Sequence, residues 1–393
     1  MQLTNYLYLN IENRISVRNK TIQKIFGLLI VLLPLLLPYK FPFTSYSITT
    51  ILSLVLAVFS VVILWIHRTR IRFFSILFLI VFLIYAISKS NSTIAISYLI
   101  AAIVFLTIST GYVKPSQIRK YIETISVFAT CVVILQTIIH YLLGRHIPFV
   151  LTSLCTEDIK YQYYQLAGTG ISDGHYRPSA FFLEPAHYSQ FCIFGLASCL
   201  LKKQLNIKKA IFISLGVVLT TSGMGIALTI VTWSFWAVVY NWSWIKRHFL
   251  KFFCFLFASF LIVLLLYQVP FVKFAVGRII GTDGDMSAIE GRLFFWNSFF
   301  GELNAKSLIF GFGQSTLPTD AYFTGFMVYL WAYGIIGFVL FFTACFQLFV
   351  TSKILAKYFI MVFFVLTFFA NQTNIAGIIF NLGIILALRK EFY

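Results

Sequence analysis

Residues 46–66 read YSITTILSLVLAVFSVVILWI, and His67-Arg68-Thr69-Arg70-Ile71-Arg72 follows at once. The run carries no charged side chain, and a helix needs about 20 mainly apolar residues to cross roughly 30 Å of hydrocarbon. A knot of arginines just beyond such a run is what the cytoplasmic flank of a membrane span carries. Lipid is therefore the solvent for which this segment is built. The rest of the chain repeats the pattern. Of its 393 residues 60% are hydrophobic, 19% aromatic and only 11% charged, and the mean hydropathy is +0.90. Soluble domains carry about 25% charged residues, so that class is excluded, and a disordered chain is excluded by the same apolar excess.

Eleven further segments read like the first: 24–38, 71–88, 92–110, 119–143, 186–201, 208–221, 224–240, 249–268, 325–350, 355–370 and 373–388. The pair at 208–240 counts as two because Thr220-Thr221-Ser222-Gly223 interrupts it, and one helix of that length would run to ~50 Å. The expected fold is an all-α polytopic membrane protein of about twelve transmembrane helices, one membrane-embedded domain over residues 1–393. The polar N-terminus is followed by no small-residue cleavage site, so the first span reads as an anchor. With both termini in the cytoplasm, seven inward segments gather 21 of the 30 Lys and Arg residues. The net charge of +18 thus has a topological cause and gives no reason to expect nucleic acid. Five of the six cysteines lie in apolar runs and Cys155 has no evident partner, so no disulfide framework is expected.

Two long loops, 144–185 and 269–324, fall on the outer side and hold, with their edges, nine of the twelve acidic residues. Long loops among short ones are where function concentrates. The spans have no ionisable group near their centres: Glu123, Arg72, Lys251 and Lys357 sit at inner ends, and His140 and His187 at outer ends. That argues against ion-coupled transport, which buries such groups at mid-membrane.

The first loop ends in His175-Tyr176-Arg177-Pro178-Ser179-Ala180-Phe181-Phe182-Leu183-Glu184-Pro185-Ala186-His187-Tyr188. If helical, Arg177 and Glu184 would share a face about 10 Å apart, suited to holding two parts of one substrate. Glu184 would precede a helix that Pro185 starts, where the dipole favours an ionised carboxylate able to accept a hydroxyl proton. The alternative roles are a helix cap for Glu184 and an interfacial charge for Arg177. The second loop offers Arg278, Gly291-Arg292-Leu293-Phe294-Phe295-Trp296, Gly311-Phe312-Gly313 and Asp320. Arginine binds phosphate oxygens bidentately, so Arg177, Arg278 and Arg292 would suit a diphosphate. Gly-Phe-Gly fits a turn as well as a phosphate cradle. Asp283-Gly284-Asp285 reads as an acidic turn rather than a metal pair. No zinc spacing, Ser-His-Asp set or P-loop is present, and neither metal nor cofactor is expected. Tyr161, Tyr163, Tyr164, Tyr176 and Tyr188 could stack on sugars or form an interfacial belt.

Taken together, Arg-Pro-x-x-x-x-x-Glu-Pro at 177–185, Thr-Thr-Ser-Gly at 220–223, Gly-Arg-x-x-x-Trp at 291–296, Gly-Phe-Gly at 311–313 and Tyr333-Gly334-Ile335-Ile336-Gly337 resemble bacterial O-antigen polymerases (Wzy). The likeness runs from roughly 170 to 340. Related O-antigen ligases usually carry a His before the following span, where this chain has Asp320. The resemblance implies a GT-C-like glycosyltransferase of the inner membrane using undecaprenyl-diphosphate-linked oligosaccharides at the periplasmic face. It implies Glu184 as base, Arg177 and Arg292 as catalytic partners, and Arg278, Tyr176, His187 and Asp320 as substrate contacts. The lipid bilayer and a chain-length regulator are the further partners considered. An O-antigen ligase, or a carrier or flippase of a different class, are the rival readings.

Overall fold

A computed structural model describes residues 20–41, 46–67, 76–145, 147, 149–155, 171–172, 175–201, 205–268, 273, 276–277, 296–317, 323–370 and 374–389. Each of the twelve apolar segments contains a helix. The N-terminal half holds α1 (20–36), α2 (Ile48–His67), α3 (Leu77–Ser88), α4 (Ser92–Ser109) and α5 (Pro115–Leu143). After the first long loop come α6 (Pro185–Leu200), α7 (Ile207–Leu219), α8 (Gly223–Arg247) and α9 (Phe249–Leu266). Two short helices, α10 (Trp296–Glu302) and α11 (Ala305–Phe310), lie in the second loop, before α12 (Gly325–Thr351), α13 (Ile354–Phe369) and α14 (Ile375–Leu388). The described strands form one antiparallel hairpin, with Ile171 opposite Tyr176 and Ser172 opposite His175.

Among the described residues four helices, α2, α4, α5 and α12, are long and apolar enough to cross a membrane, and α3, α13, α14 and the first part of α8 are shorter and apolar. Large apolar side chains stand outward along them: Leu54, Val58, Val61 and Trp65 on α2, with Trp65 81% exposed. Water would oppose such a surface, so the chain is a helical membrane protein.

Local chemistry fixes the helix ends. Pro115 and Pro185 occupy the first turns of α5 and α6, where their missing N–H costs nothing. Asn91, Asn206 and Asn374 cap α4, α7 and α14 through their side chains. Gly144 closes α5 with φ 61°. Between α7 and α8 the chain breaks at Thr220-Thr221-Ser222, where Thr221 takes φ 51° and the Ser222 hydroxyl accepts from Gly225 N–H at 3.2 Å.

Packing among α5, α6, α7 and α8 relies on small residues. A Cβ on Gly195 would fall on Ser126, one on Gly216 on the Tyr188 hydroxyl, and one on Gly225 on Ser189. Lipid supplies no hydrophobic force between helices, so such close approach is what holds them together. The helix ends also sort in space. Tyr39 bridges to Cys155 and Gly325 N–H donates to Ala370 at one end, whereas Lys353 N–H donates to Arg389 near residues 108–115 at the other.

Glu123, read as lying at the inner end of its span, is buried between two helices. It lies two turns into α5, 5% exposed, and accepts from the Ser198 hydroxyl at 2.6 Å, with Arg119 3.9 Å away. It ties α5 to α6.

Candidate functional site

The segment from Tyr176 to Glu184 is not helical, which corrects the expectation of a shared face for Arg177 and Glu184. Its conformation is imposed from α5. The Gln136 amide, 1% exposed, accepts from Ala180 N–H at 2.9 Å and donates to the carbonyls of Ile147 (3.1 Å) and Ala180 (3.3 Å). Ala180 pays for this grip with φ 53°, a left-handed conformation that costs a residue with a Cβ about 1–2 kcal/mol. One turn further along α5, the His140 ring stacks on Tyr176 with centroids 4.0 Å apart and planes 8° from parallel. Ser179 then donates to the carbonyl of Phe182 at 2.9 Å, tightening the turn. Gln136 and His140 therefore hold the segment at two points spaced as i and i+4.

Within this frame Tyr176 is buried and Arg177 and Glu184 are half-buried. Glu184 occupies the N-cap position of α6 with φ −139° and ψ 154°, but its side chain makes no cap hydrogen bond. Its carboxylate is thus beside a helix N-terminus without being consumed by it. Leu183 joins Val150, Cys155 and Tyr39 in a small apolar cluster. Burial raises the Tyr39 hydroxyl above its ordinary pKa, so it stays neutral through the physiological range.

His187 and Gln190, in the first two turns of α6, line a cavity of about 250 Å³ with Phe182, Leu183, the C-terminal end of α1 and the N-terminal half of α14. Of the expected substrate contacts, Tyr176 and His187 are therefore at the same end of the bundle as Glu184 and Arg177. Arg278, Arg292 and Asp320 lie outside the described residues, as do Asp283 and Asp285. Among the described residues no group of three His, Cys, Asp or Glu could hold a metal.

The second loop resolves the choice left open for Gly-Phe-Gly. All three N–H groups are spent on protein carbonyls: Gly311 on Ser307 (2.7 Å), Phe312 on Trp331 (2.7 Å) and Gly313 on Ala332 (3.0 Å). This is a structural lock, and no phosphate cradle remains in it. Its partner is a break in α12, where Gly334 takes φ 64° and ψ −169°. The carbonyls released there are taken by Phe312, Gly313 and the Tyr85 hydroxyl, which reaches Tyr333 O at 3.2 Å. Side chains seal the joint. The Tyr98 and Tyr333 hydroxyls lie 2.6 Å apart, and Gln314 Oε1 is 2.7 Å from Tyr333 and 3.0 Å from Tyr98. The three oxygens close a triangle in which either hydroxyl can donate to the other and both can donate to Gln314 Oε1.

Sequence reading missed Gln136, His140 and this joint. The signal for the first was available: a lone carboxamide inside the apolar run 119–143, which must find a polar partner. Replacing it should release the turn. Gln136→Leu is expected to expose the 177–184 segment to protease several-fold faster while thermal stability of the bundle changes little. Unchanged cleavage in that segment would show that Gln136 does not hold it.

No protein-family model, curated protein or solved structure matches the chain. The likeness to O-antigen polymerases accordingly rests on the motifs themselves.

Proposed function

We propose that the chain is a polysaccharide polymerase of the bacterial inner membrane, a GT-C-like glycosyltransferase with twelve spans and cytoplasmic termini. It moves a growing glycan from undecaprenyl diphosphate to the non-reducing end of a newly delivered lipid-linked repeat unit at the periplasmic face. The observation that carries this reading is the rigid turn joining Arg177 to Glu184 at one end of the bundle, with the carboxylate unused by its helix. A preorganised cation and an available carboxylate at the lipid boundary are what this transfer asks for.

In the reaction the acceptor hydroxyl attacks the anomeric carbon of the donor sugar and gives its proton to Glu184. The bond from that carbon to the diphosphate oxygen breaks, and the electron pair leaves on the diphosphate. Arg177, with Arg278 and Arg292 from the second loop, neutralises the charge that develops there. Tyr176, His187 and Asp320 contact the sugars. The donor lipid supplies its own activation, so the chemistry calls for no cofactor. Lipid-linked oligosaccharides and the bilayer are its partners, and a chain-length regulator could set where extension stops.

The lipopolysaccharide ladder tests this. Arg177→Ala, Arg292→Ala and Glu184→Gln are each expected to collapse it to core plus one repeat unit, a loss of at least about a hundredfold in extension, with protein level unchanged. Full ladders from all three variants would overturn the assignment. Bare core with polymer on the lipid carrier would indicate a ligase, and repeats trapped in the cytoplasmic leaflet a flippase.

A further inference from the structure

The cavity beside the Arg177–Glu184 turn has a chemistry of its own. We propose that it is a subsite for a single neutral pyranose ring, a hexose or N-acetylhexosamine of the glycan; its place in the reaction rests on the polymerase reading. Size supports this first. A cavity of about 150 Å³ takes a benzene, so about 250 Å³ is room for one substituted six-membered ring.

The lining supports it second. His187 and Gln190 come from α6, Asn374 and Asn381 from α14, and all four lie on the cavity. Amide side chains both donate and accept and the imidazole adds a further hydrogen-bonding group, as ring hydroxyls and an acetamido group require. Asn374 caps α14 with its side-chain oxygen, accepting from Gly377 N–H at 2.6 Å. Asn381, 1% exposed, is an amide placed deep in an apolar helix, donating to Gly377 O at 2.9 Å. The same lining includes the rings of Phe182, Phe191 and Phe380, which give the cavity an apolar wall for the C–H groups of a sugar.

Two other occupants fit less well. A phosphate would meet no Lys or Arg among the described lining residues, and an unpaired anion in such a site is costly. An isoprenoid chain would strip water from four polar side chains and return no hydrogen bond. The neutral sugar satisfies both sets of walls. Phe182 and Leu183 belong to the lining and immediately precede Glu184, so the ring would lie along the turn that carries the base.

Saturation-transfer NMR on the full chain in detergent micelles tests the subsite with four probes: methyl N-acetylglucosaminide, methyl glucoside, methyl glucuronide and farnesol. At least one neutral glycoside is expected to receive saturation, reduced about fivefold or more in both Asn381→Leu and His187→Leu, the loss of about one hydrogen bond. The glucuronide should receive none. His187 is half-buried, so its variant carries the test should Asn381→Leu fail to fold. No saturation of either neutral glycoside, equal saturation in parent and folded variants, or a variant-sensitive signal from farnesol alone would each overturn the proposal. Arg177→Ala should keep glycoside binding. Full ladders from Arg177→Ala, Arg292→Ala and Glu184→Gln with binding intact would remove the catalytic assignment and leave the sugar subsite standing.

Discussion

Gly311→Ala is expected to cost about 3 kcal/mol or more and to lower the thermal midpoint of the detergent-solubilised protein by several degrees. Two penalties combine. Gly311 sits at φ +74°, where a residue with a Cβ pays about 1–2 kcal/mol. The added methyl would also fall on the carbonyl of Ala332 and the nitrogen of Tyr333, both main-chain groups. A side chain could rotate away, but this backbone is pinned by Phe312 and Gly313. Overpacking of that kind costs a further 1–3 kcal/mol or so. Gly301→Ala is the matched control, since a Cβ there meets nothing within 4 Å and Gly301 lies within α10. Its midpoint should stay level or rise slightly. Equal midpoints for the two variants would mean that residues 311–313 do not pack into the break of α12.

The second large effect concerns the seam between α5 and α6. In Gly195→Ala the new methyl would overlap both Oγ and Cβ of Ser126, and the latter cannot move without its helix. Separation of the two helices should cost about 1–3 kcal/mol. It would also strain the Ser198–Glu123 bond three residues along α6. Ser126→Gly removes the obstructing atoms, so the double variant should recover most of the loss. Its measured coupling should be about 1 kcal/mol or more. Additive effects in that cycle would show that the seam is not closed by this contact.

These two sites also mark where sequence reading succeeds and stops. The helices were legible because lipid demands long apolar runs, and 46–66 or 325–350 could be little else. The stop at Thr220-Thr221-Ser222-Gly223 was legible from its turn chemistry, and so was Pro185 at the start of α6. The shape of 177–184 was not, because Gln136, forty residues upstream, decides it by taking hold of Ala180. A periodicity argument weighs neighbours three or four apart and has no access to such a bond. For the same reason Gly-Phe-Gly and Tyr-Gly-Ile-Ile-Gly read as two separate motifs, although the chain folds one onto the other. Of the candidate site, the structure gathers Arg177, Glu184, Tyr176 and His187 at one end of the bundle. Arg278, Arg292 and Asp320 fall outside the described residues.

The interruption at Gly334 has an electrostatic consequence. A continuous α12 would keep its partial charges at its two ends, about half an elementary charge each, near the membrane surfaces. Divided at Gly334, it becomes two shorter dipoles placed head to tail. The negative end of the first is capped by the amides of Phe312 and Gly313. The positive end of the second then begins at buried Gly334, giving the protein's interior a partial charge without any ionised side chain.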